Sequence, residues 1–210
     1  MQAEFWHDKW EKGQIGFHEG QANEALVKHW SALEIESGAT VFVPLCGKTK
    51  DIAWFLSQGL KVVGAELNSL AVEQLFSELG VKPNIKQVGE FKRYQYQDLT
   101  VYQGDFFQLD STTLGQVDVI YDRAALVALP EAMRQQYVKH LQAISLNAQQ
   151  FLISFDYPQQ RMAGPPFAVS AAMVNEYYQG SYQINALEQG IIPLGLKGKV
   201  DINQTVFWLK

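Results

Sequence analysis

The sequence predicts an α/β fold in which a mostly parallel sheet of about seven strands ends in an antiparallel pair. Residues 40–45 are β-branched and almost wholly apolar, as a sheet covered by helices on both faces requires. Strand and helix patterns then alternate with short connections, which favours parallel pairing and right-handed crossovers. Residues 182–187 and 205–209 form two late strand patterns, close enough in sequence to pair antiparallel.

Apolar spacing predicts the helices and strands in turn, and capping residues mark where helices begin and end. Gly59 and Gly80 end two of the helices, and Asn68 or Ser69 begins the second of these. In chain order, helices are predicted at residues 23–33, 50–58, 69–79, 131–144 and 170–178, and strands at 40–45, 61–66, 117–121, 150–155, 182–187 and 205–209, with a hairpin around 97–99 leading to a short strand that ends at 104–105.

Composition narrows the class of protein. The 210 residues show no compositional break, which predicts a single domain over residues 1–210, with residues 1–22 as an N-terminal lid segment. A formal net charge of −5 without a basic stripe argues against a nucleic-acid partner. A single cysteine, Cys46, excludes a disulfide within the chain and favours the cytoplasm. No apolar run is long enough to span a membrane, and no heptad pattern demands a partner, so a monomer is expected.

The predicted layout indicates where a ligand binds. A mixed sheet with a terminal antiparallel pair is typical of class I methyltransferases, and ligands of open α/β sheets bind beyond the carboxyl ends of the strands. Glu66 ends the second predicted strand, about 20 residues past the first turn, where an acidic side chain accepts hydrogen bonds from ribose hydroxyls. The alternative is a solvated loop carboxylate, which the apolar strand before Glu66 makes less favoured.

The first turn distinguishes between cofactors. It reads Pro44-Leu45-Cys46-Gly47-Lys48, with one glycine where a dinucleotide-binding turn carries G-x-G-x-x-G. This counts against a nicotinamide-dependent oxidoreductase, the first alternative function. S-adenosylmethionine has no phosphate, and the Leu45 backbone is suited to lie beneath its amino acid and ribose. Cys46 is expected to be a small buried hydrophobe, and the four histidines show no metal-ligand spacing, so no metal is expected.

Two further positions have a functional and a structural interpretation. Asp105 is placed to accept a hydrogen bond from an adenine amino group, with Phe106 against the ring; a capping Asp and a core Phe are equally compatible with the pattern. Trp10 lies in the N-terminal segment, where its ring is suited to face a sulfonium cation. Simple packing of an N-terminal arm is the alternative for Trp10.

Taken together, several motifs in one order resemble the thiopurine S-methyltransferases, and bacterial members most closely. The resemblance covers almost the whole chain and rests on residues 6–10 (WHDKW), 16–18 (GFH), 43–48 (VPLCGK), 62–66 (VVGAE), 121–128 (YDRAALVA) and 164–167 (GPPF). It implies that S-adenosylmethionine is contacted by Trp10, Leu45, Glu66 and Arg123. It further implies that Asp105 and Phe106 belong to the adenine-side segment and that Phe17 borders the acceptor pocket. Arg161 lies in the loop of a second family arginine but does not align with it, so its role stays open.

The expected reaction is an in-line displacement that carries the methyl group to the sulfur, or another chalcogen, of a small molecule such as a thiopurine or an aromatic thiol. The protein must align the reactants and exclude water. Arg123 is the expected catalytic residue, as a positive charge beside the thiolate. Its alternative is a salt bridge with Asp122 or another carboxylate, and Asp122 is also placed to orient it. A second alternative function is a non-catalytic protein that binds an adenosyl ligand.

Overall fold

The computed structural model describes residues 3–16, 18–196, 198 and 200–210. The backbone divides into two compact units, Gln2–Asp118 and Val119–Lys210, called here the N-terminal and the C-terminal unit. Each unit builds its own strands and helices.

The N-terminal unit begins with helices and then alternates strands with helices. Its helices are α1 (Ala3–Glu11), α2 (Glu24–His29), α3 (Asp51–Ser57), α4 (Ser69–Glu78) and α5 (Ser111–Leu114), with 3₁₀ turns at Trp30–Leu33 and Phe106–Gln108. Its strands are β1 (Thr40–Val43), β2 (Lys61–Glu66), β3 (Asn84–Val88), β4 (Phe91–Tyr96) and β5 (Leu99–Gln103). Strand β2 pairs in parallel with both β1 and β5, while β4 pairs antiparallel with β5 and with β3.

The C-terminal unit carries the late antiparallel pair that the sequence predicts. Its strands are β6 (Val119–Arg123), β7 (Gln149–Asp156), β8 (Ile184–Leu196) and β9 (Val200–Leu209). Its helices are α6 (Glu131–Ser145) and α7 (Ala171–Tyr178), with 3₁₀ turns at Leu126–Ala128 and Gln159–Arg161. Strands β6 and β7 are parallel, β7 and β9 are antiparallel, and β9 returns against β8.

Most predicted elements are confirmed, and the differences have local causes. Strand β2 has the predicted bounds, and Asn68 caps α4 by accepting from the Ala71 N–H. The described residues contain nine strands where about seven were expected. Strand β3 was missed because it exposes nearly every side chain, so it lacks an apolar face. Strand β8 is longer than predicted, since it continues through Gly190, Pro193 and Gly195, which normally interrupt a strand.

Gly64 of β2 packs against Cys46, in the turn after β1, and leaves no room for a side chain. A Cβ added at Gly64 would lie 2.8 Å from the Cys46 sulfur and 3.4 Å from a Val101 methyl carbon. Cys46 is itself buried, and burial, reinforced by the charge of Glu66, raises the pKa of its thiol well above the usual value. The thiol therefore stays protonated and fills space, as the sequence suggested.

We expect Gly64→Ala to destabilise the fold by about 1–3 kcal/mol, because the new methyl group overpacks against the Cys46 sulfur. Removing that sulfur in Gly64→Ala/Cys46→Ala should recover part of the loss, so the two changes should couple by about 0.5 kcal/mol or more in urea unfolding. Gly20→Ala is the matched control, because nothing lies within 4 Å of its added Cβ. Strictly additive effects would show that the sulfur does not limit this position.

Candidate active site

In the N-terminal unit, Glu66 holds the turn that follows β1. Its carboxylate accepts from the Gly47 N–H at 2.7 Å through Oε2 and from the Asn68 N–H at 2.8 Å through Oε1. The side chain is only 7% exposed, which excludes the alternative of a solvated loop acid. Burial raises the pKa of Glu66, while the hydrogen bonds from Asn68 and Gly47 oppose that rise. The carboxylate thus clamps the ends of two neighbouring parallel strands.

The turn clamped by Glu66 has an unusual backbone. Leu45 has φ +49°, a left-handed backbone conformation that residues other than glycine rarely adopt. Gly47, two residues later, has φ +53°. The Cys46 N–H donates to the Ala65 carbonyl at 2.9 Å, which fixes the turn against β2. Backbone strain of this kind costs on the order of 1–3 kcal/mol and clusters at ligand sites. Leu45, predicted from the sequence to contact the ligand through its backbone, is therefore the strained residue of this turn.

Trp10 lies on α1, a helix that the sequence patterns did not predict. Its side chain is 4% exposed, so it is packed within the unit. Helix α1 is joined to the start of α4 by a hydrogen bond between the Asn68 amide nitrogen and His7 Nδ1 at 2.9 Å. The lid segment predicted over residues 1–22 therefore contains a packed helix, and Phe17, the predicted border of the acceptor pocket, lies outside the described residues.

The structure gives Asp105 and Phe106 defined structural roles. Asp105 is exposed and caps the 3₁₀ turn that follows it, accepting from the Phe107 N–H at 3.0 Å. The Phe106 ring is buried and stacks on Phe42, with centroids 6.5 Å apart. Asp105 points its charge outward while Phe106 belongs to the core. Their contact with an adenine ring stays a prediction.

In the C-terminal unit, Arg123 is the half-buried last residue of β6. The residue after it, Ala124, has φ +63°, so the chain turns sharply away from the strand. Asp122, fully buried, fixes this corner by accepting from the Leu126 N–H at 3.0 Å and from the Tyr137 hydroxyl at 2.8 Å. Asp122 thus orients the loop that follows Arg123.

The sequence did not predict a role for Arg134 of α6, which lies in this region. It is 3% exposed, donates from Nε to the Leu129 carbonyl at 2.9 Å and lies over the Phe167 ring, 5.8 Å from its centroid. The Phe167 N–H in turn donates to the Val127 carbonyl at 2.6 Å. Arg134 therefore holds the loop after Arg123 at Leu129, the end of the loop that leads into α6. The available signal was its spacing, three residues before the buried Tyr137 on one helix face.

The loop that carries Arg161 is built on two cis peptide bonds, Gly164–Pro165 and Pro165–Pro166. The Tyr157 hydroxyl donates to the Pro166 carbonyl, and the Gln159 amide donates to the Met162 carbonyl at 2.7 Å. Arg161 itself is exposed, at the end of a 3₁₀ turn. Hydrogen bonds within the loop thus hold its backbone, while Arg161 is exposed.

Among the described residues, no three His, Cys, Asp or Glu side chains gather in a way that would hold a metal ion. No helix described by the structure combines the length and the hydropathy that crossing a bilayer requires.

Comparison with known proteins decides the family. Residues 1–195 match the family model for thiopurine S-methyltransferase. This chain belongs to the thiopurine S-methyltransferase family. A thiopurine S-methyltransferase of Xanthobacter autotrophicus is 48% identical over 100% of this chain and 99% of its own length. Relatives from Pseudomonas aeruginosa (47%, covering 100% and 95%) and Gluconobacter oxydans (40%, covering 98% and 93%) carry the same name.

Solved structures agree on the fold of this family member. The 1,6-didemethyltoxoflavin-N1-methyltransferase of Burkholderia thailandensis, solved with S-adenosylhomocysteine, superimposes with a TM-score of 0.66 at 13% identity over 99% of this chain and 87% of its own. An S-adenosylmethionine-dependent methyltransferase of Anabaena variabilis gives 0.63 at 13% identity, over 99% and 95%. The predicted methyltransferase-type α/β fold and family are confirmed, and a nicotinamide-dependent oxidoreductase is not favoured.

Asp122 should make the stability of the fold depend on pH. Burial raises the pKa of Asp122 from 3.8 to about 6, against hydrogen bonds from Leu126 and Tyr137 that lower it. A folded-state pKa above the unfolded value means that the free energy of unfolding falls as pH rises from about 4 through 6, by about 3 kcal/mol from this group. Asp122→Asn should remove this contribution.

Urea unfolding between pH 4 and 7.5 measures the effect. The difference in unfolding free energy, Asp122→Asn minus wild type, should grow in favour of the variant as pH rises through 6. Asp98→Asn, at an exposed hairpin turn, is the matched control for loss of a carboxylate. Parallel curves for Asp122→Asn would contradict the assigned charge burial.

Proposed function

We propose that this chain transfers the methyl group of S-adenosylmethionine to the sulfur, or another chalcogen, of a small molecule such as a thiopurine or aromatic thiol. Membership of the family carries the reaction type. The observation that supports it most directly is the buried Glu66 carboxylate at the end of β2, beside the strained Leu45 turn. This is the place where an open α/β sheet receives its ligand.

The geometry around Glu66 fits the ribose of S-adenosylmethionine. A carboxylate offers about four acceptor positions, and the backbone amides of Gly47, Asn68 and Leu67 leave at least one of them for a ribose hydroxyl. The single glycine of the turn provides no close backbone approach for a pyrophosphate, which the methyl donor does not need. We assign Leu45, Glu66 and Trp10 to cofactor binding, with Asp105 and Phe106 on the adenine side. Residues 1–22 act as a lid on one methyltransferase domain.

When bound, S-adenosylmethionine supplies a methyl group already activated by its sulfonium. The residues of this chain then need only align the acceptor and exclude water. Arg123 is the proposed catalytic residue, because a guanidinium beside the acceptor favours the thiolate over the thiol. Its backbone position at the end of β6 is set by the Asp122 carboxylate, which holds the next corner of the chain. Phe17 is proposed to border the acceptor.

Several properties of the whole protein belong to this proposal. We expect a cytoplasmic monomer that binds a small thiol or chalcogen acceptor and associates with neither nucleic acid nor membrane. The formal net charge of −5 and a sole cysteine that is buried support this. Light scattering coupled to size exclusion measures the oligomeric state, and a stable dimer would overturn that part.

The first experiment tests whether the protein binds an adenosyl ligand of the methyl-donor type or a nicotinamide cofactor. Calorimetry should show binding of S-adenosylhomocysteine and no binding of NADH. Glu66→Gln, which keeps the size but loses the charge, should weaken the adenosyl ligand by about 10-fold or more, since a hydrogen bond to a charged group contributes about 1.5–3 kcal/mol. Binding of NADH alone would favour an oxidoreductase, and unchanged affinity in Glu66→Gln would remove Glu66 from the ribose role.

A second experiment tests Arg123 with labelled methyl donor and a panel of aromatic thiols. Arg123→Ala should lower kcat/KM by roughly 10²-fold, as expected when a preorganised charge beside the reacting group is lost. Arg123→Lys should recover part of the activity because it restores the charge but not the planar guanidinium. Lys139→Ala, at an exposed position of α6, is the control. Unchanged kcat/KM in Arg123→Ala would exclude the catalytic role, and tight adenosyl binding without turnover on any thiol would favour a binding protein.

A further inference from the structure

Asn68 occupies a junction between three parts of the N-terminal unit. Its backbone N–H donates to Glu66 Oε1 at 2.8 Å, its side-chain oxygen accepts from the Ala71 N–H at 3.3 Å, and its amide nitrogen lies 2.9 Å from His7 Nδ1. The first contact reaches the end of β2, the second begins α4, and the third reaches α1. Asn68 is 4% exposed, so its contacts with Glu66 and Ala71 are buried, while its contact with the half-buried His7 is partly exposed.

The capping bond fixes the direction of the hydrogen bond between Asn68 and His7. Because the Asn68 Oδ1 atom accepts from Ala71, the amide NH₂ group must face His7 and donate to it. His7 Nδ1 is then the acceptor of this bond. The pair is therefore a directed contact between residues 61 positions apart.

The same helix carries Trp10. His7 and Trp10 are three residues apart on α1, so their side chains lie on one side of the helix. Trp10 is buried and His7 half-buried, which makes this the side that packs within the unit. The bond from Asn68 to His7 therefore joins α1, the helix that carries Trp10, to the residue whose backbone N–H binds Glu66.

We propose that Asn68 and His7 are positioning residues that fasten α1, and with it Trp10, to the ribose-binding end of β2. The inference rests on the proposed function, since it concerns the two residues assigned there to the methyl donor. It predicts that loss of the bond weakens binding of the donor and its product while the chemical step, once the site is saturated, is unaffected. The bond acts by holding Trp10 in place and touches no reacting atom.

Two substitutions remove the bond from opposite sides. His7→Leu takes away the acceptor at similar volume, and Asn68→Ser keeps a residue that caps α4 but loses the amide donor. Each should weaken S-adenosylhomocysteine binding about 5-fold in calorimetry, as expected for one neutral hydrogen bond. Each should raise KM for the methyl donor by a similar factor, with kcat within about 2-fold of wild type.

Two further variants separate positioning from general damage. His7→Gln restores a side-chain acceptor and should bind within about 2-fold of wild type. The double variant His7→Leu/Asn68→Ser should be no weaker than either single change, because both remove one bond. Amide hydrogen exchange across α1 should quicken in His7→Leu and not in His7→Gln. Glu11→Gln, an exposed end of the same helix, is the control for exchange and affinity.

Three results would overturn the proposal: wild-type affinity in His7→Leu, equal loss in His7→Gln and His7→Leu, or multiplying losses in the double variant. Failure of the proposed function has a different signature. In that case wild-type protein itself would not bind S-adenosylhomocysteine, whatever the exchange rates of α1 in the variants.

Discussion

The candidate site depends on one interaction, the bond of the buried Glu66 carboxylate to the backbone amides of Gly47 and Asn68. It holds the turn after β1 and the start of α4 around the end of β2, so the shape of the ligand end follows from it. Desolvation of a carboxylate is costly, and two short charge-assisted bonds offset that cost. The charge that we propose for ribose binding is thereby part of the framework of the fold.

The C-terminal unit contains a second corner of this kind, in which a buried carboxylate holds a backbone N–H after a strand. Leu45 and Ala124 each follow a strand with positive φ, although both carry a Cβ. In each case a buried carboxylate binds the N–H two residues further on: Glu66 holds Gly47, and Asp122 holds Leu126. A strained backbone conformation persists only where several surrounding contacts hold it in place. At Leu45 and Ala124, these hydrogen bonds are such contacts. The strained backbone therefore includes Leu45, which we assign to cofactor binding, and Ala124, which follows the proposed catalytic residue Arg123.

The sequence predicts those features of the fold that depend on residues close together in the chain. The apolar run of β2, its end at Glu66 and the Asn68 cap were predictable, because each depends on neighbouring residues. Helix α1 was not, since its aromatic residues alternate with charges and give no clear apolar stripe. The bond from Asn68 to His7 joins distant positions, and the burial of Arg134 depends on how the Phe167 loop folds back. Such tertiary contacts have no signature in a single sequence.

We propose that Glu66 serves the fold and the ligand at once. A crystal structure of the complex with S-adenosylhomocysteine would test this role. We expect ribose hydroxyl oxygens about 2.6–3.2 Å from the Glu66 carboxylate, with the bonds to Gly47 and Asn68 kept. A ribose bound elsewhere, with Glu66 contacting only the protein backbone, would contradict it.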